Sequence, residues 1–268
     1  MPQFSIITVN YARIYQLEKL RVSLQNLQGY SWEWIIVDNY SSEREQHAVQ
    51  HFASMAPHTH CIPLQRNCGF GQANNVGVQM AEGEYIVLVN PDIQLDTSTL
   101  PMLMAVLERS LLPHTIVCPV LDDADGKPLE NAYSLPTFWE KVRRRVLRQY
   151  PHFSREGEVP ITSVGWAQGS FLLLRRETFI SLGGFDPQFF LFFEDIDLCR
   201  RCWQAGGQVL QVPSARATHG EHRLTGRDSI FTAMWKRVFW YHVLSGLKYF
   251  WKYRGQPNPP ITPPQLCN

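Results

Sequence analysis

No apolar run in this chain reaches the ~18 uninterrupted residues of a membrane-spanning helix, so the expectation is a protein that crosses no bilayer. The amino terminus, MPQFSIITVNYARIY, likewise lacks the basic stretch, long apolar segment and small-residue cleavage site of a secretory leader. An excess of charge of one sign is missing too: 25 Lys and Arg stand against 24 Asp and Glu, a formal net charge of +1. No bulk field gathers nucleic acid or an acidic polymer, so nucleic acid is not an expected partner and any basic patch must be local. Cysteine is sparse and scattered (Cys61, Cys68, Cys118, Cys199, Cys202, Cys267). That distribution fits reduced thiols in a cytoplasm rather than a disulfide framework. Internal repeats are absent, as is any linker ahead of the C-terminal tail. What remains is 268 residues, 44% hydrophobic and 18% charged, long enough to bury a substantial core. Fibrous and disordered readings are thereby excluded.

From residue 4 to about 120 the pattern alternates short β-rich runs with amphipathic stretches, the rhythm of βαβ units. Residues 4–9 read as a buried strand. Ile14, Leu17, Leu20, Leu24 and Leu27 then recur at three- and four-residue steps, which predicts a helix ending near Gly29. A strand over 33–37 stops at the polar loop Asp38-Asn39-Tyr40-Ser41-Ser42, and a helix over 43–54 leads to a short strand at 61–64. Gly69, Gly71 and Gly77 punctuate a loop entering a helix, and YIVLV at 85–89 is apolar throughout, as a parallel strand covered on both faces requires. Strand ends carry polar clusters: Thr8 and Asn10, Asp38 and Asn39, Asn90 and Asp92. In an open parallel sheet these carboxyl ends form the ligand crevice. Beyond 120 the rhythm breaks. A hairpin is expected over 121–130, an aromatic and Arg-rich helix over 138–150, a loop over 151–160, a strand over 169–174 and a helix over 195–205. A strand over 208–212 and a helix over 228–253 follow, and then an extended, mobile Pro-rich tail.

Several constellations could carry chemistry, each beside a plainer reading. Asp92, just past a buried strand, could hold a divalent cation whose other positions stay open to phosphate oxygens, or merely cap the helix near Ser98. In Phe192-Phe193-Glu194-Asp195-Ile196-Asp197, carboxylates follow an apolar patch where desolvation favours a general base; equally, they suit the N-terminal dipole of the next helix. The stretch 67–77 has close-approach glycines and Asn side chains able to read a base or ribose, but matches neither the dinucleotide fingerprint nor a phosphate-cradling Walker loop. His219 could join a metal's carboxylates or be structural. Cys199 and Cys202 have no second close pair, and zinc is not expected. Residues 223–254 interleave seven Lys and Arg with aromatics, a composition for an anionic bilayer boundary or for a helix packed on the sheet. Phe138-Trp139-Glu140-Lys141-Val142-Arg143-Arg144-Arg145 has the same character.

From Ser5 to about Tyr253, the order and spacing of SIITVNY, VDNYSS, NCGFGQANNVG, VNPD, GSFLLLRRETFISLGGFDPQFFLFFEDIDLCRR and the THG around His219 resemble glycosyltransferase family 2 on the GT-A fold, particularly its bacterial rhamnosyltransferase-like branch. The resemblance implies an α/β fold with a GT-A domain over 1–222: a Rossmann-like nucleotide-binding half over 1–120 and a mixed-sheet acceptor half over 121–222. A basic-aromatic helical segment over 223–256 and a Pro-rich tail over 257–268 complete the chain. By position, Thr8, Asn10, Asp38, Asn39, Asn67, Gly69, Asn75 and Asn90 would line the nucleotide site. Asp92 matches the last acid of the Asp-x-Asp motif, here Asn90-Pro91-Asp92 with its first acid lost, and His219 would complete the shell of Mg2+ or Mn2+. Asp195 matches the catalytic base, with Glu194 beside it, while Trp166, Gly169 and Ser170 would shape the donor-sugar and acceptor pocket. The implied reaction is inverting transfer, best read as L-rhamnose from dTDP-L-rhamnose onto a saccharide acceptor carried by a polyprenyl diphosphate. The enzyme would then serve O antigen or capsule synthesis, peripherally on the cytoplasmic face of the membrane. A UDP-hexose or another dTDP-deoxysugar donor is the alternative within this class. A nucleotidyltransferase is a rival, but Asn10-Tyr11-Ala12 offers no triphosphate loop. A non-catalytic carbohydrate-binding protein is another, though it has no need of Asp92 and Asp195 together.

Overall fold

The structure is a computed structural model describing residues 1–137, 160–220 and 237–267. In chain order its elements are β1 (Phe4–Asn10), α1 (Ile14–Gln25), β2 (Trp32–Asp38), α2 (Glu43–Met55), β3 (Thr59–Pro63), α3 (Phe70–Met80), β4 (Tyr85–Val89), β5 (Ile93–Leu95), α4 (Thr99–Glu108) and β6 (Thr115–Asp122). There follow β7 (Pro128–Leu129), β8 (Ala132–Tyr133), β9 (Thr162–Ser163), β10 (Trp166–Ala167), β11 (Phe171–Arg175), α5 (Arg176–Ser181), α6 (Glu194–Gln204), β12 (Gln208–His219) and α7 (Arg237–Lys252).

The main sheet has the order β3-β2-β1-β4-β11-β6-β12-β5. β1 runs parallel to β2 and β4, β2 parallel to β3, and β6 parallel to β12. β11 is antiparallel to both β4 and β6, and β5 antiparallel to β12. Alternation along the strands divides the core in two. Phe4 and Ile6, Trp34 and Ile36, Val87, and Phe171 and Leu173 face α1, α2 and α4, meeting Leu17, Leu20, Val49 and Leu103. Ile7, Ile35 and Val37, Leu88, and Leu172 and Leu174 face the other way, onto Ala73, Leu198 and Tyr249 of α3, α6 and α7. The sheet is thus covered on both sides, as the near-continuous apolar strands require.

Most expected elements are present with shifted ends. The 121–130 hairpin pairs Leu121 with Leu129, and the strand expected at 61–64 begins two residues earlier and ends one earlier, at Thr59–Pro63. The strand expected over 208–212 continues to His219, because a register shift between Val212 and Arg216 carries the pairing past Pro213. The Pro-rich tail, expected to be mobile, is hydrogen-bonded to the rest of the fold at several points. Gln265 N donates to Gln208 Oε1 at 2.9 Å, Leu266 bridges to Ser110, and buried Arg200 donates to Asn258 Oδ1 at 2.7 Å and to the Pro257 carbonyl at 2.9 Å. The helix expected over 138–150, most of the 151–160 loop and residues 223–236 of the basic-aromatic segment lie outside the described residues. The six cysteines are free thiols, Cys199 and Cys202 buried among them.

α7 is joined to α6 through a buried charge. The Asp197 carboxylate, fully enclosed, accepts from Lys252 Nζ at 2.6 Å, the Tyr253 hydroxyl at 2.8 Å and Arg201 Nε at 2.8 Å. Arg200 lies over the Tyr253 ring at 4.1 Å. Burial beside Asp197 pushes the Tyr253 hydroxyl's pKa up, so it remains a donor.

Candidate active site

Strand direction gathers the polar clusters at one end of the sheet. β1, β2 and β4 are parallel, so Asn10, Asp38 and Asn90 emerge together. β11 runs the other way, with Phe171 paired to Val89, which brings Gly169 and Ser170, just before that strand, to the same end. β12 finishes there as well, where His219 pairs with Ile93. Asn90 N donates to the Ser170 carbonyl at 2.9 Å, and Gly169 N donates to Asp195 Oδ2 at 3.1 Å. Asp92 and Asp195, more than a hundred positions apart in the chain, are therefore tied to the same end of the sheet through two hydrogen bonds and a pair of adjacent residues.

Asp92 stands beside His219, with Oδ2 3.1 Å from Nε2. Its other oxygen, Oδ1, is buried without a hydrogen-bond partner. Gly220 N donates to the Asp92 carbonyl at 2.9 Å and locks the two segments together. A carboxylate with an unused buried oxygen next to an imidazole fits a divalent cation that takes its remaining ligands from outside the protein. No group of three or more His, Cys, Asp or Glu able to hold a metal occurs among the described residues, so phosphate oxygens or water would have to complete the shell.

The carboxylates of α6 are presented by a strained entry. Phe192 and Phe193 both take left-handed φ values, 67° and 68°, although neither is glycine. Side chains rarely hold that conformation, which costs about 1–3 kcal/mol and persists where packing imposes it. Phe193 is buried against the rings of His242, Tyr249 and Phe250. The turn aims the first residues of α6 in opposite senses. Glu194 points inward, and burial together with the neighbouring Asp195 charge holds its carboxyl well above the usual carboxylate range. Asp195 is half-buried, with Oδ1 accepting from Ile196 N at 2.8 Å and Oδ2 from Gly169 N. Those two donors fix its orientation. Ser170 Oγ is a further buried polar atom with no partner.

The residues assigned to the nucleotide divide into groups. Asp38 accepts from Asn10 Nδ2 at 2.8 Å, from Ser41 N at 2.8 Å and from Ser41 Oγ at 2.7 Å, so it shapes the loop after β2. Asn10 Oδ1 is buried and unpartnered. Asn39 reaches the next loop, accepting from Cys68 N at 3.0 Å and donating to Asn67 Oδ1 at 3.1 Å. Gly69 is needed twice over: its φ is +87°, and a Cβ there would stand 2.1 Å from the Phe190 carbonyl oxygen. Two of the assigned side chains spend polar atoms on partners within the fold. Thr8 Oγ1 accepts from the buried Trp34 indole at 2.9 Å, and Asn75 is clamped to the backbone of Phe185 by bonds of 2.7 and 2.9 Å. Trp166 stacks on Tyr133 with centroids 4.8 Å apart, on the two-stranded β8–β10 ribbon.

Supporting residues escaped the sequence reading. Asn131 is buried, donates to the Pro119 carbonyl at 2.9 Å, and accepts at its carbonyl from Gln168 N at 2.8 Å, steadying the approach to Gly169. A lone Asn after a hairpin carries no signal of that role. Asp197 was visible in the sequence only as one of three acids within four residues.

A family model described as Glycosyl transferase family 2 matches residues 5–196. Among similar proteins, the N-acetylglucosaminyl-diphospho-decaprenol L-rhamnosyltransferase of Mycobacterium tuberculosis is 28% identical over 244 residues, covering 83% of this chain and 78% of the relative. The rhamnosyltransferase WbbL of Escherichia coli strain K12 is 27% identical over 261 residues, 94% of each chain. Among solved structures, GalNAc-T7 with UDP, GalNAc and Mn2+ superposes with a TM-score of 0.62 at 18% identity, over 84% of this chain and 45% of that one. S. aureus TarS 1-349 in complex with UDP-GlcNAc gives 0.57 at 16% identity, over 83% of this chain and 60% of that one. The chain thus spans about half the length of these solved neighbours, which share its GT-A fold.

Proposed function

Because the chain belongs to glycosyl transferase family 2 and is a glycosyltransferase, we propose that it moves L-rhamnose from dTDP-L-rhamnose to a saccharide carried on a polyprenyl diphosphate, with inversion at the anomeric carbon. The product would enter a surface polysaccharide such as O antigen or capsule, assembled at the cytoplasmic face of the membrane. The observation that carries the chemistry is that the Asp92 and Asp195 segments are joined at one end of the sheet through Asn90, Ser170 and Gly169. The sugar and the acceptor are supported by the two relatives named as rhamnosyltransferases, one of them for a decaprenol-linked acceptor.

Asp195 takes the proton of the acceptor hydroxyl as that oxygen attacks the anomeric carbon. The bond from that carbon to the diphosphate breaks on the opposite face, and the diphosphate leaves with the electron pair. The N–H groups of Gly169 and Ile196 hold the Asp195 carboxylate in place for this. Burial and the neighbouring Asp195 charge hold the Glu194 carboxyl well above the usual carboxylate range, which favours its neutral form beside Asp195. Asp92 and His219 would hold Mg2+ or Mn2+, which when bound supplies charge neutralisation to the departing diphosphate.

A UDP-hexose donor is the second reading, favoured by solved neighbours described with UDP and UDP-GlcNAc. Incubating the enzyme with each sugar nucleotide and a GlcNAc-diphosphate-lipid analogue, then weighing products by mass spectrometry, separates the two. The proposal expects the mass of one deoxyhexose from dTDP-L-rhamnose and no product from UDP-hexoses; the reverse result overturns it.

A further inference from the structure

On α7, Tyr249, Ser245 and Gly246 turn to the core. The other side exposes Trp240 (49%), Leu244 (51%), Leu247 (57%) and Trp251 (69%). At 3.6 residues per turn, these four fall within about 60° of arc and form one unbroken line along the helix. Other exposed large apolar residues, such as Met55, Met80 and Leu111, belong to separate elements. Exposed Arg237 and Lys248 border the line, and Arg254 lies over the Trp251 ring at 4.5 Å. No acidic residue follows Asp228 in the sequence. No helix among the described residues is long and apolar enough to cross a membrane. We propose that α7 lies in the surface of an anionic bilayer, its Trp240–Leu244–Leu247–Trp251 stripe seated at the headgroup boundary and its cations on lipid phosphates. This deepens the transferase reading and rests on it only for the lipid-linked acceptor.

The charge pattern chooses the occupant. Pairing with a second copy of α7 would bring Arg237, Lys248 and Arg254 against like charges with no acid to meet them. Anionic lipid answers both the apolar line and its basic border. The inner face of the same helix holds the strained entry to the catalytic residues. Ser245 Oγ donates to the Leu191 carbonyl at 2.8 Å, and a Cβ on Gly246 would stand 3.2 Å from the Phe193 ring. Docking α7 on a bilayer therefore fixes the Asp195 turn relative to the lipid surface.

The test is co-sedimentation of the full chain with vesicles of phosphatidylcholine alone or with phosphatidylglycerol added, which needs no sugar donor. Wild type is expected to bind the anionic vesicles and to be released by salt. A combined Trp240→Ser, Leu244→Ser, Leu247→Ser, Trp251→Ser variant should bind about tenfold more weakly while keeping transfer to a short water-soluble acceptor. Should that variant fail to fold, Arg237→Glu with Arg254→Glu, which leaves the stripe intact, should lose preference for the anionic vesicles. Binding of both variants equal to wild type overturns the proposal. So does a wild type that ignores vesicles, or one that forms a dimer dissolved by the serine substitutions. Failure of the transferase reading would appear separately, as no transfer to the soluble acceptor.

Discussion

At the scale of single residues, two carboxylates three bonds of backbone apart differ in setting, Glu194 enclosed and Asp195 half-buried. The raised Glu194 carboxyl makes a prediction about pH. In the folded protein it holds its proton above the ordinary value of 4.5, whereas the unfolded chain releases it there. The folded state thus binds more protons in that window, and stability is lost as pH rises through it. Glu194→Gln keeps the shape and removes the titration. Its melting temperature should pull ahead of wild type as pH rises from about 5 to about 8, and a constant gap in thermal melts across that range would contradict the assignment. Thr8 makes a different prediction. With Trp34 Nε1 donating to it in the core, Thr8→Val strands a buried donor and should cost about 1–3 kcal/mol in urea unfolding. Affinity for dTDP should stay unchanged; weaker nucleotide binding at unchanged stability would return Thr8 to the nucleotide site.

At the scale of elements, the site is a set of junctions. α3 is fastened to the segment before α6 through Phe70 N on the Phe190 carbonyl at 2.9 Å and through the Asn75 clamp on Phe185. Gly69 sits at the tightest point, its missing Cβ replaced by the Phe190 carbonyl. Gly69→Ala should force this joint open. The left-handed backbone alone is worth about 1–3 kcal/mol, and the clash adds to it. A calorimetric melt should show the loss, and dTDP affinity should fall with it because Asn39 is hydrogen-bonded to the same loop. An alanine variant with wild-type melting would mean that the loop is free to move. α7 belongs to this scale as well, since the buried Asp197 pair with Lys252 ties a C-terminal helix to α6, the helix that carries Asp195.

At the scale of the molecule, the βαβ rhythm made the first half legible. Strands β1, β2 and β4 alternate between two apolar faces, and their ends carry Asn10, Asp38 and Asn90. The second half was less so. β12 is interrupted by Pro213, β8 to β10 are two-residue strands, and nothing local in the tail announces that Arg200 and Gln208 will hold it. Side-chain direction was the other gap. Position and residue type placed Thr8 and Asn75 at the nucleotide, but a one-residue alternation and a distant carbonyl decide where their polar atoms point. The central claim is that Asp92 and Asp195 serve one sugar–phosphate bond in separate roles, one through the diphosphate and one through the acceptor hydroxyl. It is tested most directly by measuring dTDP affinity and turnover on the same Asp195→Asn preparation. The account predicts that turnover falls by about 10²–10⁴-fold with dTDP binding within a fewfold of wild type; wild-type turnover, or affinity lost in step with turnover, would contradict it.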